Sequence, residues 1–211
     1  MATFWKNVQV SMQSATATAV TITGITKASP GVVSHSGTDP SDGDYVLLEV
    51  SGMNKVNNRV VRVASQASGT FELEGIDTTN YTTFSSGTFK VLTLGNAFST
   101  MTEVSPQGGE SEKIDLTTIH DSQRVEALGV KSAFSVDSTL IYDNADATHV
   151  AAAAASEEDA EKAFMIQFSN NSRLLWYGFV SMSNLPGGQA QGVVTTPISI
   201  TSTGLLTSYA T

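Results

Sequence analysis

Along much of the chain apolar and polar residues alternate one by one, and the alternation breaks at clusters of turn-forming residues. Ala133–Tyr142 shows the pattern best. Phe134, Val136, Leu140 and Tyr142 fall on one face with the small polar Ser138 between them, and Ala133, Ser135, Asp137, Thr139 and Ile141 fall on the other. A period of two predicts a strand with one face on a core and one facing water. Phe4–Gln13 alternates in the same way, with Val8, Val10 and Met12 against Asn7, Gln9, Ser11 and Gln13. Phe98–Val104 predicts a strand that meets a turn cluster at Ser105–Gly109, after which a polar connection carries "KIDLTT" and "HDSQR". Ala163–Phe168 places Phe164, Ile166 and Phe168 on one face, and Asn170-Asn171 predicts a hairpin turn. Leu174–Met182 is apolar on both faces, which predicts a central strand covered on both sides. Val193–Thr203 predicts a strand whose Pro197 argues for a sheet edge or a bulge.

From Val20 to Leu92 the texture differs. Short apolar runs at Val20–Ile25, Gly31–Ser34, Tyr45–Val50, Arg59–Ala64, Thr70–Leu73 and Thr88–Val91 are separated by turn signals such as Ser29-Pro30-Gly31 and Asn57-Asn58. This spacing predicts a small antiparallel barrel or sandwich. The first texture resumes at Phe98, so residues 20–92 read as an inserted small all-β domain within a domain made of residues 1–19 and 93–211. Insertions are tolerated where the two junctions lie close together at the surface. A single helix is predicted after Tyr142, around Ala151–Ala155, capped by Asn144 or Asp146. Ser156 with Asp159 could cap a second short turn.

Composition narrows the function. Only 15% of the 211 residues are charged, against a usual ~25%, and there is no cysteine. Disulfide and thiolate chemistry are excluded. The formal net charge is −9, and the 11 Lys and Arg are scattered singly, which argues against a phosphate-gripping protein. No apolar run approaches a membrane span, and the first residues lack the order of a signal peptide, so the expected compartment is a cytoplasm. No catalytic, metal or cofactor set can be assembled. His35, His120 and His149 have no second ligand at metal spacing, and His120-Asp121-Ser122 reads as a polar turn, since triad members meet through the fold. The second faces of the strands carry Gln9, Ser11, Glu103, Ser135, Asp137 and Thr139 with no Lys or Arg. They read as a solvated sheet surface or, if the sheet continues into neighbours, as a channel wall.

The block "GGE…IDLTTIHD…LG", followed by an alternating strand ending in Tyr-Asp, resembles the tail tube subunit of long-tailed bacteriophages. The segments "ITGITKASPGVV", "DGDYVLLEVSGM", "NNRVVRVA" and "GTFELEGIDTTNY" resemble a small β module found in many phage tail subunits, named for its likeness to the half-domain carrying the first catalytic cysteine region of ubiquitin-activating enzymes. With no cysteine that likeness is one of shape. The resemblance implies a mainly β fold, a tail-tube-like β-sandwich or barrel with one flanking α-helix. It implies hexameric rings stacked into a virion tail tube, assembled in the bacterial host cytoplasm, with double-stranded DNA passing through without tight binding. Implied partners are the subunit itself, the tape measure protein, the tail terminator and the distal tail protein. Gln9, Ser11, Glu103, Ser135, Asp137 and Thr139 would face the lumen. The Asp115–Val130 segment, with Asp115, Thr117, Thr118, His120, Asp121 and Arg124, would reach the adjacent ring, and the inserted domain would lie on the tube exterior. Two other readings are a tube subunit of a contractile injection or type VI secretion system, and a monomeric β-sandwich for binding or capsid decoration.

Overall fold

A computed structural model describes residues 7–210. In chain order the elements are β1 (Gln9–Met12), β2 (Ala15–Thr16), β3 (Val20–Ile25), β4 (Val32–Ser36), β5 (Tyr45–Ser51), a 3-10 turn (Asn54–Val56), β6 (Arg59–Ala67), β7 (Thr70–Leu73), β8 (Ser86–Thr93), β9 (Asn96–Ala97), β10 (Met101–Gly108), β11 (Ser111–Asp115), β12 (Glu126–Lys131), β13 (Phe134–Ile141), α1 (Ala147–Glu157), β14 (Glu161–Gln167), β15 (Arg173–Met182), β16 (Thr195–Ser202) and β17 (Thr207–Tyr209). The fold is mainly β with one helix. Phe4–Lys6, the start of the first expected strand, lies outside the described residues.

Eight strands form the first sheet, in the order β10-β13-β16-β15-β14-β1-β9, with β17 on β15. Its two ends meet. Val8 and Val10 from one end and Met101 and Val104 from the other pack into one core and line one hollow of about 470 Å³. The sheet therefore curls into an open barrel. Inside, Trp176 stacks on Phe164 and meets the edge of Phe134, each at 5.7 Å between ring centres. Val136, Leu140, Ile198 and Ile200 complete this core from β13 and β16. The helix α1 is capped by Asp146, whose side chain accepts from His149 N at 2.8 Å. Its alanines let it approach closely, so Ala152 and Ala155 are fully buried against the sheet.

In the second sheet, β8-β3-β4-β7-β6-β5 returns to β8 through a further β5–β8 ladder, closing a six-stranded barrel with β2 attached to β8. Closure leaves its six strands no open edge. Phe71 and Phe89 pack edge to face in its core, with the buried His35 ring 5.7 and 5.1 Å from them. The strands that enter and leave this barrel pair with each other, Ala15 opposite Thr93 and Thr16 opposite Leu92.

The two barrels share an apolar seam. Leu47, Val60 and Leu92 of the closed barrel pack on Ala163, Met165, Leu175 and Tyr209 of the open one. Arg62 N–H donates to the Tyr209 hydroxyl at 2.8 Å, Arg59 Nε to Thr207 Oγ1 at 2.9 Å and Arg173 Nη1 to the Tyr45 hydroxyl at 2.6 Å. Burial pushes the Tyr209 phenol up to about 12, against the accepted Arg62 N–H and the nearby guanidinium groups.

The structure corrects several expectations. Ser105–Gly109 is not a turn cluster, because β10 continues to Gly108 with Pro106 opposite Val136. As the outermost strand of its sheet, β10 tolerates a proline that cannot donate. A bulge between Met101 and Glu103 turns Met101 to the core, whereas unbroken alternation would put it on the same polar face as Glu103. Pro197 lies in β16, a central strand, neither at an edge nor at a bulge. Its carbonyl accepts from Ser183 just past the last β15–β16 pair, so its missing N–H points where the ladder ends. No second helical turn starts at Ser156, whose hydroxyl instead accepts from Met182 N at 2.9 Å.

Candidate functional site

Register places all six polar candidates on the outer face of the open barrel, but it does not gather them. Glu103 lies opposite Thr139, and Ser135 and Asp137 lie opposite Thr201 and Ser199. These form one strip across β10, β13 and β16. Gln9 and Ser11 are on β1, three strands beyond β16. Gln9 is exposed. Ser11 is only 2% exposed, sitting between Ala97 and Met165, on the side where Met165 meets the closed barrel. Ser11 therefore cannot line a channel in this fold, and that expectation is withdrawn.

Within the strip the carboxylates are held in place. Asp137 accepts from Gln107 Nε2 at 2.7 Å and from Ser199 Oγ at 2.6 Å, and Glu103 accepts from Thr139 Oγ1 at 3.0 Å. On the core side Ser138 Oγ donates to the Glu103 carbonyl at 2.6 Å, which fixes the register beside the bulge. None of β10, β13 and β16 carries a Lys or Arg. The strip is a small-residue surface with two fixed carboxylates and no counter-charge. Among the described residues β10 pairs only with β13, so the strip runs to a sheet edge that these residues leave open.

Beyond Gly108 and Phe134 the β10–β13 pair continues outward as a two-stranded arm of β11 and β12, carried across the join by Ser132 N donating to the Glu110 carbonyl at 2.9 Å. A polar connection was expected here, and its two ends, Ser111–Asp115 and Glu126–Lys131, are instead strands. The arm's tip gathers the six other candidates, five of them through their side chains. Asp115 accepts from Thr117 N at 2.9 Å and lies 3.4 Å from Arg124 Nε. Asp121 accepts from both the N–H and the hydroxyl of Thr118 at 2.8 Å. Thr117 Oγ1 accepts from Val125 N at 3.0 Å, closing the loop. Hydrogen bonds from Thr117 hold Asp115 below the usual aspartate range, and those from Thr118 do the same for Asp121. His120 contributes its backbone N–H, 3.4 Å from Thr118 Oγ1.

Sequence reasoning missed what the arm exposes. Ile119 is 97% exposed, Val130 79% and Leu128 75%, with Ile114, Leu116 and Val125 also open to solvent. The signal was present as apolar residues in a segment with no core to serve. An isolated two-stranded hairpin is marginal in water, and contiguous exposed apolar surface marks an interaction site. Among the described residues no three His, Cys, Asp or Glu side chains converge as a metal site, and no helix is long and apolar enough to cross a membrane.

A family model described as phage tail tube protein, TTP, matches residues 51–211. A solved structure described as the tail of an empty GTA particle, computed with helical refinement in C6 symmetry, is similar over 56% of this chain and 88% of that one, at 15% identity and a TM-score of 0.45. No curated protein matches.

Proposed function

The chain belongs to the phage tail tube protein family, so it is a structural component of the virion tail and not an enzyme, and from that premise we propose that six copies close into a ring, that rings stack, and that the genome leaves through the bore. The observation that carries this reading is the base-free strip of Glu103, Ser135, Asp137 and Thr139 running to the open edge of β10. An eight-residue edge that is unpaired among the described residues and carries no lysine of its own invites a neighbouring strand. Pairing around a ring would carry the strip into one continuous wall. Duplex DNA presents a negative charge about every 1.7 Å, and each basic contact adds affinity. A conduit gains by offering none.

The curl of the sheet supports the remaining placements. Its outer surface has two halves, the polar strip and the half that carries Ala163, Met165 and Leu175 under the closed barrel. With the strip on the lumen, the closed barrel lies away from it, on the tube exterior. We read that barrel, residues 20–92, as a module inserted into residues 1–19 and 93–211, of the shape shared with ubiquitin-activating half-domains. The arm of β11 and β12 reaches the adjacent ring. The partners that this reading implies are the tape measure, tail terminator and distal tail proteins, with assembly in the host cytoplasm.

Charge reversal tests the lumen. Glu103→Lys with Asp137→Lys leaves hollow tubes visible by electron microscopy but slows DNA release several-fold at low salt, with recovery as salt rises and screens the new contacts. Release at the unaltered rate at every salt concentration would remove the strip from the bore.

A further inference from the structure

The arm has an apolar counterpart at the other end of the same barrel. β13 runs from Phe134, where the arm begins, to Ile141, where it pairs with Thr195. Just beyond, the loop of residues 183–194 folds back, tied by the Gly187–Thr195 bridge and by Tyr142 N donating to the Val194 carbonyl at 2.9 Å. This folded loop exposes Leu185 at 82%, Val193 at 61% and Val194 at 46%, beside the exposed Tyr142. Eight residues of strand separate the two ends by about 26 Å. The arm leaves the β10–β13 pair at its Phe134 end, across the Ser132–Glu110 hydrogen bond, and the loop lies at the Ile141 end. One copy cannot bring its own arm to its own loop.

We propose that the 183–194 loop is the acceptor for the arm of a second copy of this chain. The inference rests on the stacking reading above and names the surface that the arm meets. A contact between opposite ends is heterologous, so each copy keeps one free arm and one free acceptor, and the contact repeats into an open-ended stack. The acceptor loop, residues 183–196, carries no charged side chain. On the arm Arg124 engages Asp115 and Glu126, and Lys113 lies 3.3 Å from Glu126, so the apolar side chains at both ends are what the contact has to bury.

The chain has no cysteine, so engineered thiols report without background. In the full chain, Ile119→Cys with Leu185→Cys, treated with a short bis-maleimide after tube assembly, gives a ladder of covalent dimers, trimers and higher species. Each single variant gives no ladder. Tubes seen by electron microscopy with no ladder from the double variant would overturn the acceptor while leaving stacking intact. Wild-type protein that never forms tubes at any concentration would remove the stacking reading, and the acceptor with it. A second measurement covers thiol variants that fail to assemble. Ile119→Asp and Leu185→Asp each raise the concentration needed for tube growth roughly tenfold or more, with unchanged melting temperature. Mixed, they form short stacks, because each supplies the end the other lacks. Growth of Leu185→Asp at the wild-type concentration would overturn the proposal.

Discussion

Asp121 stands in a sequence neighbourhood that suggests chemistry, yet its carboxylate is engaged by the backbone and hydroxyl of Thr118 and serves to shape the arm's tip. The polar-turn reading of His120-Asp121-Ser122 was available from sequence, because three adjacent residues cannot form a triad. The orientation of Met101 was not, because a bulge shifts register by one residue and one residue reverses the face. The aspartates give the arm a pH dependence. Folding lowers the values of Asp115 and Asp121 below the ordinary 3.8, so their contribution to tip order is complete above that value and is lost as pH falls through the lower folded values. The protection factors of the Thr117 and Thr118 amides, that is exchange relative to the unstructured rate at the same pH, should hold from pH 7 to pH 5 and fall as pH drops through the lowered aspartate values. Asp121→Ala should remove the protection of Thr118 at every pH, while the stability of the barrels changes by no more than about 0.5 kcal/mol, as for a surface substitution. Exchange already fast in the wild type at pH 7 would mean that these bonds do not hold the tip.

Among the elements, alternation found β13, β14, β15 and β16 because each has one face on a packed core, and β15 showed its burial on both faces through Leu175 and Trp176. The arm strands were not legible. "SEKID" and "EALGVK" lie on no core, so no periodic burial constrains their residues. The extension of β10 through Pro106 was hidden for the same reason, since edge strands obey looser rules than central ones. Gly178 shows how tight the central strands are. A Cβ added there would fall 2.0 Å from the carbonyl oxygen of Thr201 on β16, and backbone at that distance cannot yield cheaply. Gly178→Ala should cost about 1–3 kcal/mol, read as a lower midpoint in urea with the slope unchanged. A midpoint equal to wild type would show that β15 and β16 can spread, and that the barrel wall is looser than its register implies.

For the molecule as a whole, the question is whether the closed barrel is an appendage or part of one folding unit. Its paired entry and exit strands suit an insertion, and an insertion alone would predict that it could be excised at little cost. The seam argues otherwise. Seven buried apolar side chains meet there, and full burial of such a side chain is worth roughly 1.5–3 kcal/mol. Even after generous reduction for a compact unfolded state, the sum is comparable to the ~5–15 kcal/mol that holds a whole domain folded. The C-terminal strand β17 ties both sides, pairing with β15 and presenting Tyr209 to Arg62, whose guanidinium lies 4.7 Å from the ring centre. Close backbone approach adds to the join, since a Cβ on Gly204 would fall 1.9 Å from the Asn58 carbonyl oxygen. The seam could not be read from sequence. Leu47, Val60, Leu175 and Met165 look like ordinary strand residues, and alternation says that a face is covered without saying by what. The intact chain should therefore melt in one calorimetric transition whose van't Hoff and calorimetric enthalpies agree. Tyr209→Phe removes the hydroxyl that satisfies Arg62 N–H and should lower stability by about 1 kcal/mol, still in one transition. Replacing residues 15–94 by a short linker should leave Ala163, Met165 and Leu175 bare and lower the melting temperature far more than Tyr209→Phe does. Two separate transitions in the intact chain would sever this coupling. The closed barrel would then move independently of the tube wall it is proposed to decorate.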